Sequence, residues 1–175
     1  YGAELAAAKS RDDSRATRDS WTADEYLAWC AENDPKAEPV MRAIIEAWPE
    51  MDWSIVNGTA ASPNVIGVCD IEGVHKWPVS LYSGPDGAFL EVRLTQLRRA
   101  SRERANAIAD TLASIPGLGI DAEDVRAREF RRSPKIFGGP LTEGSALATL
   151  LVAFRLFTAS ELPSEPATST AAEKP

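Results

Sequence analysis

The chain is poor in the residues on which most site chemistry depends. Its 175 residues include one histidine, His75, and two cysteines, Cys30 and Cys69. A Ser/His/Asp triad or a histidine-based zinc site would rest wholly on His75. That residue stands beside Glu72-Gly73, where a hairpin turn is expected. Two cysteines are too few for a disulfide scaffold. Both read as small buried hydrophobes, in a reducing, cytoplasmic setting. No apolar run approaches the roughly 20 residues that a membrane span needs, so no membrane partner is expected. Residues 1–20 are polar and mix both charge signs, unlike a secretory signal. The chain does not begin with Met, which points to a piece of a longer one. There is no Gly-x-Ser-x-Gly elbow. Pro116-Gly117-Leu118-Gly119 lacks a following Gly-Lys-Ser/Thr and a preceding strand, so it reads as a helix stop and not as a phosphate loop. No metal or cofactor is expected.

What is present is enough apolar sequence for one core: 44% of residues are hydrophobic, and a domain of this length buries roughly 70% of its unfolded surface. The formal charge of −7 argues against nucleic-acid binding by the surface as a whole. Its distribution is uneven. Residues 93–135 hold ten of the nineteen basic residues and six of the twenty-six acidic ones, a local net of +4 against −11 elsewhere.

Hydrophobic periodicity places the elements. Residues 1–20 read as a flexible linker. Thr22-Ala23-Asp24-Glu25 matches a capping box, with Trp21 and Tyr26 spaced as a hydrophobic staple, and opens a helix over 23–32. A second helix over 36–48 carries Val40, Ile44 and Trp48 at intervals of four and stops at Pro49. The period then changes to two. Strands are predicted over 53–56, 65–71, 76–82 and 89–94, linked by Asn57-Gly58, Glu72-Gly73 and 83–87. Pro78 puts the third strand at an edge or beside a bulge. Ser101 caps a helix that ends before Pro116, and a single helical turn is expected near 121–126. Residues 126–140 read as irregular, a last helix covers 143–159, and 161–175 form a disordered Pro/Ser/Thr-rich tail. The order predicts one α+β domain over 21–160: two N-terminal helices, a four-stranded antiparallel meander, and two C-terminal helices, packed on one sheet face.

Two constellations stand out. Asp70, with Glu91 and Arg93, has the residue types of a metal-dependent nuclease, in which carboxylates hold Mg²⁺ and a cation stabilises the developing phosphate charge. Arg93 replaces the usual Lys, and an arginine can act only as an electrostatic clamp. Glu91 and Arg93 share a strand face and more often form a solvated ion pair. The second is basic: Arg98, Arg99, Arg102 and Arg104, then Arg126, Arg128, Arg131, Arg132 and Lys135. Brought together, Arg98, Arg99, Arg102, Arg131, Arg132 and Lys135 would form a binding patch for phosphates or an acidic partner. Phe130 and Phe137 are the aromatics beside it. The alternative is a solvated helical face neutralised by Glu103, Asp110, Glu123, Asp124 and Glu129.

Across residues 21–157 the order of signals resembles an uncharacterised family of small bacterial α+β domains appended to larger proteins. The resemblance lies in residues 77–87, beginning Trp77-Pro78-Val79, in FLEVRLTQL (89–97), in ERANAIADTLASIPGLGI (103–120) and in LTEGSALATLLVAF (141–154). It implies an accessory domain, in some cases of proteins connected with nucleic-acid processing or defence, and it brings no catalytic residue. The expectation is therefore a non-enzymatic interaction domain whose partner is another protein or another domain of the same chain. The alternative is a nucleic-acid-associated domain, including a degenerate metal nuclease built on Asp70, Glu91 and Arg93.

Overall fold

A computed structural model describes residues 20–97 and 101–160. The linker over 1–19, the tail over 161–175, and Arg98 and Arg99 of the basic run lie outside the described residues. The chain begins with helix α1 (Ala23–Asn33), where the Thr22 hydroxyl accepts the Glu25 N–H at 3.2 Å and the Glu25 carboxylate accepts the Thr22 N–H at 2.9 Å. Helix α2 (Glu38–Glu50) buries Val40, Met41, Ile44, Ile45 and Trp48. Pro49 does not stop it but sits in its last turn, where its missing N–H leaves one preceding carbonyl without its helical partner and no further turn follows to be distorted.

Five antiparallel strands follow in the order β1-β2-β3-β4-β5, one more than the sequence predicts. They are β1 (Ser54–Asn57), β2 (Asn64–Ile71), β3 (Val74–Gly84), β4 (Gly87–Val92) and β5 (Lys135–Phe137). Residues 126–140 are thus not wholly irregular. Three of them pair with β4, Ile136 facing Leu90, and Ile136 is buried. Such a strand is too short to show a period. The open edge of β4 and the burial of one isoleucine produce it. Gly138 then passes so close to α2 that an added Cβ would lie 2.5 Å from the Ala37 Cβ, which only glycine tolerates.

Pro78 stands in the middle of the sheet. The β2–β3 register shifts between Gly67 and Cys69, so that a bulge falls where the proline cannot donate to the ladder. Helix α3 (Arg102–Ala113), capped by Ser101, short helix α4 (Ala122–Ala127) and helix α5 (Ala146–Arg155) make five helices among the described residues, where the sequence predicts four and a single turn. None is long and apolar enough to cross a membrane.

Alternation along the strands separates two faces. Val65, Cys69, Ile71, Val79, Leu81, Ala88, Leu90, Val92 and Ile136 are buried against the helices in one core. Trp48, Trp53, Phe154 and Phe157 lie at its centre, with Trp53 stacked 6.3 Å from Trp48 and 5.8 Å from Phe154. Gly67 makes room for this cluster, since a Cβ there would meet the Trp48 ring at 2.8 Å. Both indole N–H groups, of Trp48 and Trp53, are buried without a hydrogen-bond partner, so ring packing must outweigh a desolvation cost of about 1–3 kcal/mol each. On the opposite face Ile66, Val68, Tyr82, Phe89, Glu91 and Phe137 are only partly buried, and Trp77 is half exposed.

Candidate functional site

The outer sheet face brings together aromatic, hydroxyl and charged side chains from β3, β4 and β5. Cross-strand pairing sets Tyr82 opposite Phe89 and Phe89 opposite Phe137, so that one ring from each of β3, β4 and β5 forms a row. The ring centroids are 5.4 Å apart for Tyr82–Phe89, which stack, and 5.8 Å for Phe89–Phe137, which tilt. These are the spacings at which aromatic pairs attract beyond their area burial. The next row is polar: Ser80 faces Glu91, and Glu91 faces Lys135. The Lys135 ammonium lies 3.8 Å from the centre of the Phe89 ring and 4.8 Å from that of Phe137, in cation–π contact with both. Arg93 reaches back along the face, donating to the Ser80 hydroxyl at 2.5 Å and the Tyr82 hydroxyl at 2.6 Å, with the Glu91 carboxylate at 3.7 Å.

Arg93, proposed as a phosphate clamp, is therefore spent on orienting its own face. Asp70 is held by His75 at 2.8 Å, past the bulge at the far end of β2. Glu91 pairs with Ser80 and Asp70 with His75, five positions apart along β3, or about 15 Å. The carboxylates do not converge on one cation. Among the described residues no group of three or more His, Cys, Asp or Glu side chains is placed to hold a metal ion.

The basic segment is divided. Arg126 binds Asp110 and Glu123, Arg128 binds Asp124, and Arg131 binds Glu129, so half-exposed pairs neutralise much of the charge. The pairing holds the Asp124 carboxyl below its usual range and raises Arg126 and Arg128, each chiefly through the hydrogen bond to its partner. Arg104 is structural: it donates to the carbonyls of Phe157 and Ala159 and to Glu72. Arg131 and Arg132 line an open hollow of about 660 Å³ with Arg128. Arg132 and Lys135 line a neighbouring one of about 280 Å³ that also holds Asp121 and Asp124. Arg102, at the first position of α3, lines neither. Of the six residues of the expected patch, the structure gathers Arg131, Arg132 and Lys135, leaves Arg102 apart, and does not describe Arg98 or Arg99.

Phe130, a candidate for stacking, is a core residue, 1% exposed. Phe137 lies on the aromatic row. Tyr82 and Phe89 were missed, although the signal was available: each occupies the outward set of an alternating strand whose other set is aliphatic. Neither thiol is a reactive candidate. Cys30 and Cys69 are free and buried, pushed up to about 11 and about 12, in both cases chiefly by desolvation. No family model matches this chain, and no curated protein or solved structure shows a significant match to it.

Proposed function

We propose that this chain is a non-enzymatic interaction domain, an accessory part of a bacterial multidomain protein or complex, and that it meets its partner through the outer sheet face. One observation carries the reading: Tyr82, Phe89 and Phe137 form a row beside Lys135 on the face that no described helix covers. Aromatic rings held by their neighbours lose little side-chain entropy when covered, and they are the anchors of interface hot spots. The resemblance to appended bacterial domains agrees with this reading and adds no site.

The second reading, association with single-stranded nucleic acid, draws on the same row, because rings flanked by a cation suit base stacking with a phosphate contact. Its nuclease form gains nothing from Asp70 and Glu91, which pair elsewhere. One experiment separates the two. The tagged chain is purified from its own cells, and the stoichiometric companion is titrated against wild type and Phe89→Ala. An oligonucleotide is titrated in parallel over a range of salt. The interaction reading expects a protein companion whose Kd rises about thirtyfold in Phe89→Ala, the effect of losing a hot spot. A companion bound equally well by the variant would overturn it. Salt-dependent oligonucleotide binding that weakens in Lys135→Glu and Arg132→Glu would replace it with the second reading.

A further inference from the structure

Lys135 belongs to two features of the surface at once. It lies over the Phe89 and Phe137 rings, and it also lines the hollow of about 280 Å³ beside α4, together with Arg132 and Ser133. Three half-buried apolar side chains, Leu118, Ile120 and Val125, line the same hollow. The aromatic row and the hollow are therefore joined by one lysine.

The acids of the hollow are already engaged. The Asp121 carboxylate caps α4, accepting the N–H groups of Glu123 at 2.8 Å and Asp124 at 3.3 Å. Asp124 holds the Arg128 guanidinium at 2.8 Å. The remaining donors have no such match. Arg132 makes no ion pair or hydrogen bond among the described residues and acts on Asp124 only through space. The Ser133 hydroxyl has no hydrogen-bond partner among them either. Lys135 has two ring faces in place of a carboxylate.

We propose that the hollow receives an acidic segment of the partner protein, one apolar side chain entering beside Leu118, Ile120 and Val125 while flanking carboxylates meet Arg132 and Lys135. This rests on the outer-face reading and adds the partner's chemistry to it. Charge selects the occupant. In a chain of formal charge −7, a carboxylate-bearing segment is repelled by most of the surface and attracted where cations lack a carboxylate of their own. A guanidinium and an ammonium each bond a carboxylate more strongly than a neutral donor does. A nucleic-acid strand fits less well. Tyr82 stacks on the Phe89 ring and the Lys135 ammonium lies over it, so a base would have to displace one of them. Two unmatched cations are also few for a strand whose affinity grows with the number of phosphates neutralised.

The test is an amide-resolved NMR titration of the intact chain with the peptides Glu-Glu-Leu-Glu-Glu, Gln-Gln-Leu-Gln-Gln and Glu-Glu-Ser-Glu-Glu, and with a short oligothymidine. The first peptide should shift amides within residues 118–135 and bind about tenfold more tightly than either control peptide. Arg132→Gln and Lys135→Gln should each raise its Kd about threefold, and the double variant about tenfold, as expected for exposed ion pairs. Both side chains are exposed, and near-ultraviolet circular dichroism checks that the variants are folded. Shifts confined to other residues, equal binding of either control peptide, or a Kd unchanged in the double variant would each overturn the proposal. Oligothymidine binding the same residues more tightly than the acidic peptide would overturn it as well. Phe89→Ala separates it from the outer-face reading. A companion protein lost with Phe89→Ala but bound unchanged by the double variant keeps the aromatic row and removes the acidic segment. Peptide binding at the hollow, with a companion indifferent to Phe89→Ala, keeps the hollow and removes the row.

Discussion

Cys30 and Cys69 show how much of a residue's chemistry depends on where the fold puts it. The ordinary value for each thiol is 9.0, and burial pushes Cys30 to about 11 and Cys69 to about 12. Between these values the unfolded chain gives up protons that the native chain keeps. The thiols therefore leave stability intact below pH 9.0 and erode it as pH rises through about 11. Urea midpoints should fall progressively above pH 9.0, with a shallower fall in Cys30→Ala and Cys69→Ala, and iodoacetamide should label neither thiol while the native state persists. A fall of equal steepness in both variants would assign the alkaline loss to other groups. That the cysteines are small buried hydrophobes was legible in the sequence from their apolar neighbours and low number. That Phe130 is core while Phe89 is surface was not. Phe130 sits just after α4 with φ at 59°, where the chain reverses, and no periodic pattern covers that position.

At the scale of elements, local chemistry was readable wherever it was complete within a few residues. The capping box at Thr22 and Glu25, the cap at Ser101 and the Glu72-Gly73 reversal, with φ at 53° and 77°, all formed as their side chains dictate. Thr22→Ala removes an acceptor for the Glu25 N–H and should cost about 1 kcal/mol. Thr22→Ser should restore most of it, with urea denaturation as the measurement. Equal stability of wild type and Thr22→Ala would mean that the cap is dispensable beside the Trp21–Gly58 pairing. The elements that were missed depend on partners distant in sequence. β5 exists because β4 has an open edge and a pocket for Ile136. Pro78, by contrast, stands beside a bulge between β2 and β3, one of the two settings the sequence allowed for it.

Over the whole molecule, the arginine-rich segment divides into residues that hold the fold and residues that face solvent. Arg104, 11% exposed, joins α3 to the chain just beyond α5 and to the β2–β3 hairpin, placing a cation at carbonyls that no helical N–H satisfies. Arg104→Met should destabilise the protein by about 2–3 kcal/mol, since hydrogen bonds involving a charged group are the stronger ones. Arg104→Lys should recover only part, because lysine lacks the planar fork. Arg131→Ala, at an exposed ion pair with Glu129, should change stability by less than about 0.5 kcal/mol. Thermal or urea unfolding of the three variants checks the contrast, and equal losses at Arg104 and Arg131 would contradict it.

By itself the sequence determined the α+β class, the first four strands and their antiparallel links, and the helices that carry a sustained apolar stripe, because each follows from contacts within a few residues or from a repeated period. Tertiary structure alone decided the fifth strand, the pairing of Arg126 with Asp110, the separation of Asp70 from Glu91, and the row of Tyr82, Phe89 and Phe137. Those outcomes depend on strand register and on which backbone edge is left open. Register and edges are properties of the assembled sheet, since a shift of one residue turns every side chain to the other face.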